Sequence, residues 1–365
     1  MTSSLLPAGF HDRLPPHADA AARLEARVLG TAFAHGYERV DPALAEFEEG
    51  LAGRLKSARP QDVVRFVDPV SQKSLAIRPD ITAQVGRIAA TRMAHHPRPV
   101  RLSYAGQVLK LRASDLAPER ERRQVGCELI GLDSVAAARE LVGIAVEALS
   151  AAGIEGISID FTLPDLVDVL AAGPVPVPAD RIDLLRDRLD AKDAGGVAAI
   201  APDYLPLIEA AGPFPAALDK LRGFDGALAS RLDGLTALAE GLDVALTIDP
   251  TERHGFEYQS WLGFSIFAAG VRGEIGRGGS YTVMREDGEE PAVGFSLYVD
   301  PIVEAGVGTA ERRRLFLPPG ADPAAAARLR GQGWVTVAAL DAADTPAAQL
   351  CTHMLVDGEV RPAGG

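Results

Sequence analysis

The chain has 365 residues, enough for a large core domain with one or two smaller attachments. Its formal net charge of −13 argues against nucleic acid as the main partner, because that grip needs cations arrayed against phosphates. No run approaches the roughly 20 apolar residues that span a bilayer, and residues 1–7 lack a basic stretch followed by an apolar one, so the expectation is a cytoplasmic protein that binds no membrane.

In chain order, a loop opens on Gly9-Phe10-His11-Asp12 and leads into a helix whose Ala20, Leu24, Val28 and Phe33 fall close to helical spacing. Gly36 closes it, and residues 37–40 start an extended segment. Residues 63–68 and 74–77 are short β-rich runs that fit a hairpin. Thr82 can cap a following helix with Val85, Ile88, Ala89 and Met93 on one face. Strands are predicted at 100–104 and 124–130, with a charged loop at 112–123 between them. The short basic runs at 120–123 and 311–314 read as solvated surface.

Residues 135–149 predict an amphipathic helix and 157–161 a buried strand. From about 163 to 241, helical patterns broken by Pro and Gly replace strands. Strand character returns at 242–248, 256–269, 274–276 and 293–297. The last 55 residues form their own αβ unit: a strand at 315–317, a helix capped by Asp322 with Pro323 in its first turn, and a strand at 334–338. The expected fold class is α+β, a mainly antiparallel sheet flanked by helices. The expected domains are 1–310, with a helical insertion at about 163–241, and 311–365. Short hairpins and few βαβ alternations argue against a doubly wound dinucleotide fold. Gly276-Arg277-Gly278-Gly279 lacks the helix-opening context of a phosphate loop.

Cys127 and Cys351 are far apart, without the neighbours a metal site requires, and read as reduced thiols. No metal or cofactor is expected. Four polar clusters stand out instead. In Arg78-Pro79-Asp80-Ile81-Thr82, a carboxylate and a hydroxyl either bind a cationic amino group or cap the helix. In residues 124–131, strand alternation turns Gln124, Gly126 and Glu128 to one face, with a glycine gap where a ligand can lie. A carboxylate among Val, Leu and Ile needs a partner, which is either a ligand or a buried structural group. The third cluster runs from His254 to Trp261. The fourth holds Arg277-Gly278-Gly279-Ser280-Tyr281, followed by Val293-Gly294-Phe295-Ser296. Taken singly, these two read as turns or core.

The order of the clusters resembles the catalytic domain of class II histidyl-tRNA synthetases, from Gly9 to about Val303. The features that carry it are Gly-Phe-His-Asp before a helix, Arg-Pro-Asp-x-Thr at 78–82, and Tyr104-Ala105-Gly106. Then come Gln-x-Gly-x-Glu at 124–128, Gly-Phe-Glu-Tyr at 255–258, Gly-Gly-x-Tyr at 278–281 and Val-Gly-Phe at 293–295. The resemblance implies that Asp80, Thr82 and Gln124 hold an amino acid's α-amino group while Glu128 and Tyr281 approach an imidazole. Asp80 stands where the family usually has Glu. One imidazole-contacting tyrosine falls at Gln259, with Tyr258 beside it as a substitute.

Adenylation needs fixed cations where negative charge builds on the α-phosphate. The family places three arginines there. In this chain the first position is Lys110, with Arg112 where its Glu partner stands, the second is His254 and the third falls at about Pro301. Each lost charge-assisted contact costs on the order of 2–4 kcal/mol of transition-state binding. After Val303 about 60 residues remain, too few for the usual anticodon-binding domain. This pattern resembles the regulatory subunits of short-form ATP phosphoribosyltransferase. The resemblance implies a non-catalytic protein that supports the short catalytic subunit, as a homodimer within a hetero-octamer, and conveys histidine feedback in the first step of histidine synthesis. The alternatives are a divergent amino-acid-activating enzyme, which ATP–pyrophosphate exchange would reveal, and a free-standing amino-acid sensor.

Overall fold

Alternating apolar and polar side chains along residues 100–130 and 259–298 supply most of one large sheet, whose assembly is seen in a computed structural model. It describes residues 6–51, 55, 63–112, 119–224, 226–253, 259–310 and 312–363, with Gln259 described by its backbone alone. The molecule has two compact units, Met1–Gly308 and Thr309–Gly365.

In the first unit, α1 (His17–Ala34) turns through Gly36, at φ 82°, into β1 (Glu38–Arg39). Next come β2 (Ala45–Phe47), the single-turn α2 (Glu48–Leu51), β3 (Arg65–Val67) and β4 (Ser74–Ile77), which make a small sheet in the order β2-β4-β3. Helix α3 (Thr82–Thr91) precedes the hairpin of β5 (Val100–Leu109) and β6 (Glu121–Ile130). Helix α4 (Val135–Ala151), whose first turn is capped by the Ser134 hydroxyl, leads back to β7 (Ile157–Thr162).

The helical insertion follows. It holds α5 (Leu166–Ala172), α6 (Ile182–Asp190), α7 (Ala194–Ile200) and α8 (Leu205–Glu209), then β8 (Gly212–Pro213), α9 (Phe214–Leu221) and α10 (Ala229–Ala239). The strands β9 (Ala245–Ile248), β10 (Gln259–Ala268), β11 (Gly276–Arg285) and β12 (Gly288–Tyr298) and helix α11 (Val299–Glu304) complete the unit.

Among the described residues the main sheet has nine strands in the order β1-β5-β6-β12-β11-β10-β7-β9-β8. It is antiparallel except where β1 meets β5 and β7 meets β9. Helices α1, α4 and α11 cover one face, where Leu24, Val28, Leu141 and Ile302 share a core with Val125, Cys127, Leu129, Val293, Phe295 and Leu297. Helix α3 lies on the other face, with Val85 and Ala89 packed among Leu102, Tyr104, Tyr281 and Val283. Because strand side chains alternate, burying Val125, Cys127 and Leu129 in the first core turns Gln124, Gly126 and Glu128 to the second face.

Several sequence expectations are corrected here. Phe33 is 79% exposed and Ala32 takes the buried position, because α1 steps by four from Leu24 to Val28 to Ala32 and residue 33 is rotated about 100° away. The charged loop ends earlier than expected, since β6 already begins at Glu121 and takes in Arg122 and Arg123. These arginines are not simply solvated: Arg123 pairs with Glu25, and Arg120 lies 4.9 Å from the Phe10 ring. The glycine pair 278–279 is not a turn but the interior of β11. A β-carbon on Gly278 would run into the Phe264 ring of β10, so glycine is needed for close strand packing.

The second unit has β13 (Arg314–Leu317), α12 (Pro323–Gly331), β14 (Val335–Ala338), β15 (His353–Val356) and β16 (Glu359–Pro362), with strand order β14-β13-β15-β16. The Asp322 carboxylate accepts the Ala324 and Ala325 amides at 3.0 and 3.1 Å, which starts α12. The β15–β16 hairpin is an addition to the sequence reading. Its Asp357-Gly358 turn has φ of 51° and 82°, the positive pair that an Asp-Gly hairpin turn adopts.

Candidate functional site

The first cluster makes a turn between β4 and α3. Arg78 is buried, and its guanidinium donates to the carbonyls of Gln107 (2.8 Å) and Pro42 (2.7 Å), which ties the turn to β5. Thr82 is not the helix cap. It is the first residue of α3, its amide donates to Asp80 Oδ1 at 2.8 Å, and its buried hydroxyl lies 3.4 Å from that of Tyr104. Asp80 therefore supplies the capping oxygen. Its second oxygen accepts Gln124 Nε2 at 2.9 Å, and Asp80 stays only half-buried. Gln124 uses both ends of its amide: Oε1 accepts the Ile81 amide at 3.1 Å and Nε2 also donates to Ser296 Oγ at 2.6 Å. Across 44 residues of sequence, the turn and β6 are thus stitched together.

Glu128 lies two pleats deeper and is 1% exposed. The Tyr281 hydroxyl donates to Oε2 at 2.7 Å and the Tyr104 hydroxyl to Oε1 at 3.0 Å. Burial pushes its carboxyl up to about 8, with the nearby Asp80 charge adding to the rise and the hydroxyls of Tyr281, Thr82 and Tyr104 opposing it. The carboxyl is therefore poised between neutral and charged near physiological pH. Such a group accepts a hydrogen bond from, or exchanges a proton with, an imidazole of comparable acidity.

The gap expected at Gly126 is not empty. A β-carbon there would sit 2.7 Å from the Tyr104 hydroxyl, which also meets Ser296 Oγ at 2.8 Å. Tyr104 and Ser296 are site residues that the sequence reading did not place. No local signal marks them, because Tyr104 sits directly across from Gly126 in β5 and Ser296 directly across from it in β12, a register that only strand pairing sets.

Towards the open end of this face, Lys110 follows β5 and is exposed, as is Arg112. Tyr298 faces Gln124 across β12 and β6, buried, with the Arg122 guanidinium 5.5 Å and the Arg277 guanidinium 5.9 Å from its ring. Arg277 is paired with Glu274. Crowding by protein atoms, then the Arg122 and Arg277 charges, hold the Lys110 ammonium below the usual lysine range. These two guanidinium groups lie at positions other than the three that the resemblance assigns to the triphosphate.

Pro301 lies in α11 and brings no charge. Its neighbour Asp300 is buried, pairs with Arg13 and accepts the Arg123 amide at 2.7 Å. Trp261 is structural, packed near Gly234 of α10 with its indole N–H 3.3 Å from the Asp133 carbonyl. His254 and Tyr258 lie outside the described residues, as does the Gln259 side chain. Among the described residues, no group of three metal-ligating side chains occurs and no helix is long and apolar enough to cross a membrane.

A family model described as histidyl-tRNA synthetase matches residues 9–302. An ATP phosphoribosyltransferase regulatory subunit from Rhodospirillum centenum is 46% identical, over 98% of this chain and 96% of its own length. The chain belongs to the ATP phosphoribosyltransferase regulatory subunit family. The fold agrees with solved structures of such regulatory subunits and their synthetase relatives. An ATP phosphoribosyltransferase regulatory subunit/histidyl-tRNA synthetase from Bacillus halodurans aligns with a TM-score of 0.80 over 95% of this chain and 96% of its own, at 21% identity. A chain of the ATP phosphoribosyl transferase (HisG:HisZ) complex from Thermotoga maritima aligns with a TM-score of 0.60 over 76% of this chain and 97% of its own, also at 21% identity. This regulatory-subunit family member therefore has the class II aminoacyl-tRNA synthetase-like fold, with a helical insertion and a small C-terminal αβ unit.

Proposed function

We propose that the chain is the non-catalytic regulatory subunit of an ATP phosphoribosyltransferase, acts in the first step of histidine synthesis, and binds histidine on the sheet face that carries Glu128. The assignment to the complex rests on 46% identity along nearly the whole chain with a protein of that role. The solved HisG:HisZ complex of like fold supports a catalytic partner. The observation that carries the ligand is the buried carboxyl of Glu128, held by Tyr281 and Tyr104 at the bottom of a face whose upper rim presents Asp80. The imidazole is directed to Glu128 and Tyr281, and the α-ammonium to Asp80, Thr82 and Gln124. Tyr258 is a further candidate for the imidazole.

The chain does not adenylate in this reading. Two of its three triphosphate positions carry Lys110 and His254, and Pro301 replaces the last. Arg122 and Arg277 are committed to Tyr298 and Glu274 rather than disposed around a triphosphate. An effector shifts activity only through different affinities for active and inactive assemblies, so feedback requires that histidine bind the two states of the complex unequally. The assembly proposed is a homodimer of this chain within a cytoplasmic hetero-octamer with the short catalytic subunit.

The test is to purify this chain with and without the short catalytic subunit. Histidine-inhibited phosphoribosyl transfer in the mixture, its loss of inhibition with Glu128→Gln, and absence of ATP–pyrophosphate exchange by the chain alone are expected. Robust exchange would reassign the protein as an amino-acid-activating enzyme. Failure to co-purify with the catalytic subunit would favour a free-standing sensor.

A further inference from the structure

The second unit carries six arginines, no lysine and six acids, so the net charge of the chain lies wholly in the first. Within this neutral unit the signs are sorted by position. Strands β13, β14 and β15 are parallel and α12 returns between the first two, which fixes what stands at each end of the sheet. Arg312, Arg313 and Arg314 lead into β13, and Arg328 and Arg330 close α12, all at the amino ends of the parallel strands. Asp322, Asp341 and Asp357 lie beyond the carboxyl ends. The dipole of α12 favours cations in its last turn, which accounts for Arg328 and Arg330. It does not account for Arg313.

The basic end is ordered around one indole. The Arg313 guanidinium lies 5.2 Å from the Trp334 ring, and the His353 ring meets the same indole edge-on at 4.8 Å. Thr336 and His353 flank Leu315 on the neighbouring strands, and Arg330 Nη1 donates to Thr336 Oγ1 at 3.1 Å. Thr336 is one pleat repeat, about 7 Å, along the chain from Trp334. His353 Nδ1 meets Thr352 Oγ1 at 2.9 Å, which leaves Nε2 for another partner. Arg314 is engaged by the Gln349 carbonyl at 3.0 Å and Arg361 by Glu359 at 3.2 Å. Neither Arg313 nor Arg330 has a carboxylate partner among the described residues.

Holding two long cationic side chains near each other costs rotamer entropy and repulsion, and here no ion pair compensates. The cations are thus placed in advance for an anion from outside. Guanidinium forks match phosphoryl oxygens, and two forks about a pleat repeat apart suit a pair of linked phosphoryl groups better than a single small anion. We infer that Arg313, Arg330 and His353, set around Trp334, form a binding site for small anions that carry a diphosphate, either free pyrophosphate or a nucleotide polyphosphate. The site is separate from the Glu128 face and stands or falls independently of histidine binding there.

Calorimetric titration of the full chain with pyrophosphate, ATP and sulfate, without magnesium and at constant ionic strength, tests it. Pyrophosphate or ATP is expected to bind at least about tenfold more tightly than sulfate. Arg313→Gln and, separately, Arg330→Gln should each weaken that binding by about tenfold, the usual effect of one charge-assisted contact. Arg328→Gln removes the same charge from the same end and should change it by less than about twofold. A circular-dichroism melt checks that each variant is folded. Like affinities for pyrophosphate and ATP would place recognition in the phosphates, and a preference for ATP that the two variants abolish would make a nucleotide the ligand. No preference over sulfate, or ATP binding that Arg313→Gln and Arg330→Gln leave unchanged, would overturn the site. So would an equal loss in all three variants, which would reduce it to the unspecific attraction of a basic surface.

Discussion

Gly294 of β12 stands directly opposite Glu128 of β6, and the Glu128 carboxylate occupies the space that a β-carbon at 294 would need. The Val-Gly-Phe motif thus exists to seat the buried acid, and the two sites must change together. Gly294→Ala should push the carboxylate off Tyr281 and cost about 1–3 kcal/mol in stability, as overpacking usually does. A lowered melting temperature together with weaker histidine binding is expected. A variant that melts and binds like the wild type would mean that the acid is not held in this position.

Binding should depend on pH with a plateau. Empty, the Glu128 carboxyl keeps its proton up to about 8, whereas a free histidine imidazole keeps its own up to about 6.5. A complex with one proton between the two groups gains none and loses none across that window, so affinity is flat there. Below it two protons are present and one must leave. Above it none is present and one must be taken up. Affinity should fall about tenfold per pH unit on either side. Calorimetry of the wild type across pH 5.5–9 checks both slopes, and a profile without the upper limb would mean that Glu128 does not share the proton.

The same group sets a stability trend in the empty protein. Its folded value of about 8 exceeds the ordinary carboxyl value of 4.5, so its contribution is fully present below about 4.5 and is lost as pH rises through 8. Compared with wild type, Glu128→Gln should become progressively more stable between pH 5 and 9, by an amount on the order of a few kcal/mol. Urea midpoints measured at both ends of that range give the difference. Equal slopes for the two proteins would rule out a buried, proton-holding acid.

Tyr104 links Glu128 at 3.0 Å and Ser296 at 2.8 Å through one hydroxyl. Tyr104→Phe leaves both partners short of a hydrogen bond in a dry site, at a cost of about 1–3 kcal/mol. Because this hydroxyl helps hold the Glu128 value down, its removal should also move the upper limb of the binding profile to higher pH. Thermal denaturation and the binding profile test the two effects separately.

Asp300 joins the N-terminal segment to the sheet, through Arg13 and the Arg123 amide at 2.7 Å. Asp300→Asn retains an acceptor for the amide but removes the charge opposite Arg13. The expected loss is on the order of 3 kcal/mol, the usual consequence of breaking a buried pair by removing one partner. Proteolysis near residue 13 should also quicken. An unchanged melt would show that the pair contributes nothing net.

Local signals made much of the scaffold legible. The capping Asp322, the 135–149 stripe and the alternation through Gln124, Gly126 and Glu128 each report a neighbour a few residues away, which one-dimensional spacing encodes. The same locality explains the slips. A one-residue error in helical phase put Phe33 on the wrong side of α1, and a glycine pair meant for close strand approach looked like a turn. The Asp357-Gly358 turn was a readable hairpin signal that went unused.

By itself the sequence determined that an acid lies on one face of a buried strand, that an Asp-x-Thr turn precedes a helix, and that the motifs come in the synthetase order. Only the tertiary structure decided that Tyr281 reaches Glu128 across 153 residues, that Tyr104 fills the Gly126 gap, and that Arg122 and Arg277 meet around Tyr298. The reason is that β6, β12 and β11 are neighbours out of chain order, and their register is set by packing of the whole sheet. No local periodicity carries that information.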